Sequence, residues 1–385
     1  MHKPKQKLSL LVNMVAPARL ALFRGLAEHF ELQIVHGGTE SNRDFWQEVE
    51  SALHNATIRR AWGWQLPIIS KKNGRTVDRR YIHIVPGYFS RLVRFHPHAI
   101  ITGEMGFRTL IALAYGTVAR KPVWIWWGGT LQTERKRGIS RTILRAAISR
   151  WARHWISYGQ TSTEYLESIG VKRDLILQIQ NSVDEHVFAA DIRPRFKIQP
   201  RPVLLYVGQF ILRKGIELFL NEAAALKKEG LEFSVVLVGN GPDKRALEQL
   251  STSLALKSVV FLPAQKPLDM PSVYRSADIL VFPTLEDVWG LVANEAMLSG
   301  LQVLCSKNAG CAPELFSSSH IFDPEDPEEF KYKLRQAITG QLAKPDCSRL
   351  QSTAQILADI IRAIESSRAP VAPATGISQE RACGQ

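Results

Sequence analysis

The chain has 385 residues, of which 45% are hydrophobic and 22% charged, and a formal net charge of +13. That length is comfortable for two domains, and the composition excludes a disordered or fibrous protein. The charge is lopsided: residues 1–190 hold 27 Lys+Arg against 14 Asp+Glu, whereas residues 191–385 hold 22 of each.

The polar N-terminus leads into a short apolar run over residues 8–12. A secretory signal needs a longer apolar stretch and a small-residue cleavage site, so this run reads as a first buried strand, at 8–13. No run of about 18 apolar residues follows, so no membrane span is expected. Further strands are predicted at 32–36, 99–102, 123–127 and 155–158, then at 203–207, 234–238, 259–262, 279–282 and 302–305. These are Val/Ile/Leu runs without strict alternation, as expected of strands covered on both faces. Helical patterns at 19–30, 108–117, 139–153, 216–229 and 243–254 lie between them. Repeated strand, helix, strand predicts an α/β architecture with parallel sheets.

Within 139–153 the apolar positions Ile139, Ile143, Leu144, Ala147, Ile148 and Trp151 mark one helical face, with arginines on the others. A basic amphipathic helix of this kind can rest on anionic lipid. The favoured reading puts its apolar face in the core and leaves its charges free to meet a membrane.

The series breaks over 181–202, which carries Pro194, Pro200 and Pro202 and no clear periodicity. That composition is a linker. It divides the chain into an N-terminal domain at 1–185 and a C-terminal domain at 186–366, whose final helix can return to the first. Residues 367–385, rich in Ala, Pro, Ser and Gly, read as a disordered tail. The four cysteines, Cys305, Cys311, Cys347 and Cys383, have no metal-ligand spacing. A reduced, cytoplasmic chain without a disulfide framework is therefore expected.

The informative stretch runs from Tyr206 to Glu314. Gly208-Gln209 follows a strand, and Arg213-Lys214-Gly215 then opens a helix. Backbone N–H groups, a helix dipole and a basic side chain can meet a phosphate there. Gly239-Asn240-Gly241 follows the next strand, and its glycines permit a tight turn and close approach to a ligand. The sharpest segment is 282–296, where Glu286-Asp287 and Glu295 flank Gly290-Leu291 at a helix start. A nucleotide sugar needs carboxylates for hydroxyls, N–H groups for diphosphate and a close glycine turn, and this segment supplies all three.

From Gly208 onward the sequence resembles glycosyltransferase family 4, retaining enzymes of the GT-B fold. The matching pieces are Gly208…Lys214-Gly215, Val238-Gly239-Asn240-Gly241-Pro242, Tyr274-Arg275-Ser276-Ala277-Asp278, Asp287–Glu295 with Ala296-Met297, and Gly300. Asn181-Ser182-Val183-Asp184 resembles the family's interdomain motif. The resemblance implies two facing Rossmann-like domains with parallel sheets and a cleft between them. It implies Lys214 on the donor diphosphate, Glu295 on the ribose hydroxyls, and the backbone of Gly290 and Leu291 on phosphate. Asp287 would hold hydroxyls of the transferred sugar, although the family's first acid is a glutamate and Glu286 stands beside it. The family's usual arginine after the first glycine is here Gln209, so Arg213 is the candidate for the missing charge. No metal and no cofactor beyond the donor substrate, a UDP- or GDP-sugar, is implied.

Acceptor binding falls to the N-terminal half. Arg19 follows the first strand, Glu104 follows the third as a candidate for bonding an acceptor hydroxyl, and Trp127-Gly128 ends another. Trp127 at a strand tip is a candidate to stack on a sugar face, whereas Trp124 and Trp126 read as core. The basic half points to a lipid-linked or polysaccharide acceptor at the cytoplasmic face of a membrane. Two other readings remain open: a nucleotide-sugar epimerase on the same plan, and a non-enzymatic polyanion-binding protein. No nucleic-acid module with interleaved aromatics is evident, so nucleic acid is not an expected partner.

Overall fold

A computed structural model of the chain describes residues 4–38, 53–72, 75–135 and 138–367. The tail expected at 367–385 lies outside these beyond Ser367. The first sheet is built from β1 (Lys7–Val12), β2 (Glu31–His36) and β3 (Ala56–Arg60), then β6 (Ala99–Gly103), β7 (Val123–Trp127), β8 (His154–Tyr158) and β9 (Ile176–Ile179). Between β3 and β6 stands a separate antiparallel pair, β4 (Trp64–Lys72) and β5 (Arg75–Ile84). The second sheet comprises β10 (Val203–Val207), β11 (Ser234–Val238), β12 (Val259–Leu262), β13 (Ile279–Phe282), β14 (Gln302–Ser306) and β15 (Ile321–Phe322).

Both sheets are parallel throughout. The first runs β3-β2-β1-β6-β7-β8-β9 and the second β12-β11-β10-β13-β14-β15. Each therefore grows outward from its first strand and then restarts on that strand's other side. The restart opens a crevice at the strands' C-terminal ends, β1/β6 in one sheet and β10/β13 in the other. The loops that meet there are residues 13–19 with 103–106, and 208–215 with 283–290. Leu8, Leu10, Ile100 and Ile101 in one sheet, and Leu204, Leu205, Leu280 and Val281 in the other, are buried on both faces.

Two crossings join the domains. Phe188, in the helix Glu185–Ala189, belongs to the core of the second domain. The last helix, Thr353–Ser366, instead lays Ile356, Ile360 and Ile364 into the first domain's core. It packs on the helix Leu20–His29, and His29 Nε2 sits 2.9 Å from Glu365 Oε1. Beside the crossings Gln180 and Gln351 bond each other's backbone N–H at 2.8 and 2.9 Å.

Only part of the face expected to bury the 139–153 helix does so: Ile148 and, partly, Leu144. In Ile139–Trp151 the residues turned inward are Arg145, Ile148 and Ser149, while Ile139, Ile143 and Trp151 stand exposed. Arg145 is buried because it pairs with Glu134, donates to Tyr165 Oη at 3.0 Å and lies over the Trp127 ring. Hydrophobic periodicity gave the apolar stripe correctly, but the partner that covers the helix is set by this ion pair. Among the described residues no helix is long and apolar enough to cross a membrane.

Candidate active site

The β10/β13 crevice brings the basic turn Leu212–Lys214 against the acidic loop after β13. Lys214 Nζ donates to Asp287 Oδ2, with only 13% and 16% of the two side chains exposed. Arg213 Nη1 donates to the Glu286 carbonyl at 3.1 Å, and Leu285 N–H to the Arg213 carbonyl at 2.9 Å. The turn and the loop are therefore laced together through main chain as well as charge. Burial alone would raise the Asp287 pKa. Lys214, Arg213 and the Trp289 N–H outweigh it and hold the carboxyl below its ordinary value.

Gly290 follows with φ +102°, a conformation that favours glycine, and its Cβ position is filled by the Phe282 ring. It heads the helix Leu291–Leu298 without any side-chain cap, so the first-turn N–H groups at Gly290 and Leu291 are available to an anion. Glu295 lies one turn further on. Its carboxylate accepts a hydrogen bond from Tyr274 Oη at 2.6 Å, and burial still pushes its pKa up to about 7.

Gly208, Gln209, Gly239 and Gly241 meet, but their closeness is spent on each other. A Cβ at Gly239 would lie 1.8 Å from the Gly208 carbonyl oxygen, and one at Gly241 2.3 Å from the Phe210 carbonyl oxygen. Phe210 N–H donates to the Asn240 carbonyl at 2.9 Å, and Tyr206 Oη donates to the Gln209 carbonyl at 2.9 Å. The close approach expected of Gly239 and Gly241 is thus to the chain's own backbone, which sets the height of the 208–210 loop. Gly239→Ala is expected to cost about 2–4 kcal/mol in urea unfolding, because the clash is with backbone. Gly230→Ala, whose φ is +88° with open space around it, should cost only about 1–2 kcal/mol. Equal costs at the two positions would remove the loop-packing role.

On the first domain Arg108 is buried at the matching crevice. It donates to Asn13 Oδ1 and, at 2.5 Å, to the Gly103 carbonyl, and so joins the loops after β1 and β6. Arg19 lies 4.5 Å from the Trp126 ring centroid and 4.8 Å from that of Tyr158. Glu104 is exposed beside them at φ 63°, with its N–H on the Trp126 carbonyl and its own carbonyl accepting from Thr109. Trp127 does not present a face to a sugar. It is buried, stacked on Tyr165 at 5.6 Å, and its Nε1 donates to the Gly129 carbonyl at 2.9 Å. Gly128 is likewise packed against the Tyr158 ring. Trp127 belongs to the core because β7 is a central strand, covered on both faces, and Gly128, half-buried, follows it.

The two crevices are joined by contacts that the sequence did not announce. Glu314 Oε1 accepts the Gln160 N–H at the start of the helix Gly159–Ser168, and Thr161 Oγ1 donates to the Gly310 carbonyl at 3.1 Å. Trp289 Nε1 donates to Asn294 Oδ1 at 2.9 Å, whose Nδ2 donates to the Asn181 carbonyl at 3.2 Å. A groove of about 640 Å³ between Arg201, Arg275 and Lys344 opens at the N-terminal ends of β10, β13 and β14, away from Lys214. Among the described residues no group of three or more His, Cys, Asp or Glu is placed to hold a metal ion.

Two Rossmann-like parallel-sheet domains, each with its switch point at a shared cleft, define a protein of GT-B architecture. HepE from Anabaena, solved in complex with UDP, superposes with a TM-score of 0.73 at 17% identity, over 94% of this chain and all of that one. Residues 188–356, in the C-terminal half, match the family model described as "Glycosyl transferases group 1". The chain is 24% identical over 276 residues to sulfoquinovosyl transferase SQD2 of Arabidopsis thaliana, covering 66% of this chain and 52% of that protein. It is 30% identical over 178 residues to D-inositol 3-phosphate glycosyltransferase of Corynebacterium kroppenstedtii, covering 41% and 40%. These matches span about half the length of those relatives, or less.

Proposed function

We propose that the chain is a retaining glycosyltransferase of family 4. It moves a sugar from a nucleotide sugar to a lipid-linked or polysaccharide acceptor at the cytoplasmic face of a membrane. The observation that carries the donor side is the meeting of Lys214, Asp287, the uncapped N–H groups at Gly290-Leu291 and Glu295 within one crevice. In this reading Lys214 and the N–H groups hold the diphosphate, and Glu295 accepts from the ribose hydroxyls. Asp287, with Glu286 beside it, takes hydroxyls of the sugar. Charge that develops on the departing diphosphate falls on preorganised donors, which is the largest help a site without a nucleophile can give. The diphosphate itself takes the acceptor proton, and Glu104 with Arg19 orients the acceptor hydroxyl. The family match at 188–356 and the UDP bound by HepE support a nucleotide-sugar donor, with UDP-sugars one class to try.

Thermal stabilisation by UDP-, GDP- and ADP-sugars tests this, because a ligand that binds only the folded state must raise the melting temperature. One donor class should stabilise by about 2–3 kcal/mol at roughly 100 Kd, which is several degrees, and Glu295→Ala should abolish the shift. No shift with any of the three classes would sink the proposal.

A further inference from the structure

We propose that the β4–β5 hairpin is a membrane-docking element that seats the mouth of the cleft on an anionic phospholipid surface. It deepens the membrane-face part of the proposed function and is independent of the transfer chemistry. Its position comes first. β3 ends at Arg60, at the edge of the sheet where the cleft opens, and the hairpin rises from that point. The chain returns through Gly87, whose N–H donates to the Trp62 carbonyl at 3.0 Å. β5 runs beside the turn Leu212–Lys214 of the other domain, so the hairpin stands over both halves of the cleft mouth.

The second observation is which face looks outward. Register pairs Trp64 with Ile84 and Leu66 with Ile82 on one face, and Gln65 with His83 and Pro67 with Tyr81 on the other. Gln65 Nε2 donates to the Gly37 carbonyl at 2.6 Å, which turns the second face toward the domain. The apolar face is left to solvent: Trp62, Trp64 and Leu66 are 66%, 54% and 51% exposed, and Ile68 and Ile82 are exposed too. A half-buried antiparallel pair ordinarily does the reverse, burying its apolar side. Trp62 and Trp64 hold each other edge to face, with ring centroids 4.6 Å apart, an amphipathic pair suited to a headgroup layer.

Charge selects the occupant. The two strands carry Lys71, Lys72, Arg75, Arg79 and Arg80 against Asp78 alone, and Arg59 is exposed at the base of the hairpin. Between Asp78 and Glu164 the sequence has fourteen lysines and arginines and only two acids, Glu104 and Glu134. A second copy of the chain would bring the same positive face against itself. A nucleic acid would stack on the tryptophans but gain nothing from Leu66, Ile68 and Ile82. An anionic bilayer satisfies both the basic and the aliphatic residues.

Flotation of the full chain on phosphatidylcholine vesicles, with and without about one-third phosphatidylglycerol, tests the proposal. The wild type should float with the anionic vesicles and come off as salt rises, and brominated phosphatidylglycerol should quench part of its tryptophan emission. Trp62→Ser with Trp64→Ser should weaken vesicle binding about tenfold or more, at an unchanged melting temperature. Ile139→Ser with Ile143→Ser, on the exposed stripe of the helix Ile139–Trp151, should leave binding as it was. Failure of the wild type to float, full binding by the tryptophan variant, or loss of binding in the helix variant would each overturn it. So would a tryptophan variant whose only change is dissociation of a dimer or loss of RNA binding. Vesicle binding without any nucleotide-sugar shift would remove the transferase reading and leave this one standing.

Discussion

Lys214→Ala is expected to abolish donor stabilisation and to lower the unfolding free energy by about 3–5 kcal/mol, since it strands a buried carboxylate. The partner left behind is Asp287, whose side chain is 16% exposed. In the wild type the Asp287 pKa lies below its ordinary value, so the pair's stabilisation is complete above that value. It is lost as pH falls through the folded-state value. Without Lys214 only Arg213 and the Trp289 N–H oppose burial, and the deficit should appear above about pH 4 and close in acid. Urea unfolding of both proteins from pH 3 to 8 reads this directly. The double variant Lys214→Met with Asp287→Asn should recover most of the stability and none of the donor shift. A single variant that loses less than about 1 kcal/mol and still binds a donor would show that this pair is a surface contact and no clamp.

Glu295→Gln should produce two opposite effects. Burial raises the Glu295 pKa to about 7 despite the bond from Tyr274. The group's contribution to stability is therefore full below its ordinary value and is lost as pH rises through about 7. At pH 8 the glutamine variant should be more stable than wild type by up to about 3 kcal/mol, and at pH 4 the two should coincide. Donor affinity should move the other way, falling about a hundredfold, because ribose hydroxyls are best accepted by an ionised carboxylate. Wild-type affinity should rise with pH through 7, and Tyr274→Phe should push that midpoint higher by removing the one bond that favours the charged form. Parallel stability curves for wild type and Glu295→Gln would show that Glu295 carries no desolvation strain and no ligand role.

The ten strands read from apolar runs all form, because a strand covered on both faces is a local signature. The crevice at β10/β13 was legible for a related reason: switch-point loops follow from strand order, and Lys214 and Asp287 sit at strand-to-helix junctions, with Glu295 one turn into the helix that follows. What the sequence did not reveal is non-local. Arg108 read as a helix start, yet its guanidinium joins Asn13 to Gly103 across a restart of the sheet. Glu314 closes the informative stretch with no role of its own in the sequence, yet it accepts from Gln160 in the other domain. Trp127 ends a strand, but that strand is central, so its neighbours bury it. The hairpin escaped notice although Asn73-Gly74 between alternating residues is its usual sequence sign. Its apolar face points outward, so a search for core strands passes over it.

The double crossing has a mechanical consequence. Two cores joined by a single strand of chain can swivel and twist in any direction. Here the chain passes between them twice, near 180–185 and again near 349–353, and the paired amides of Gln180 and Gln351 clasp the two passages together. A door hung on two pins can only swing. Any swing of one half against the other would therefore be confined to rotation about the line through those passages. Removing residues 353–366 would pull one pin and turn the swing into a wobble.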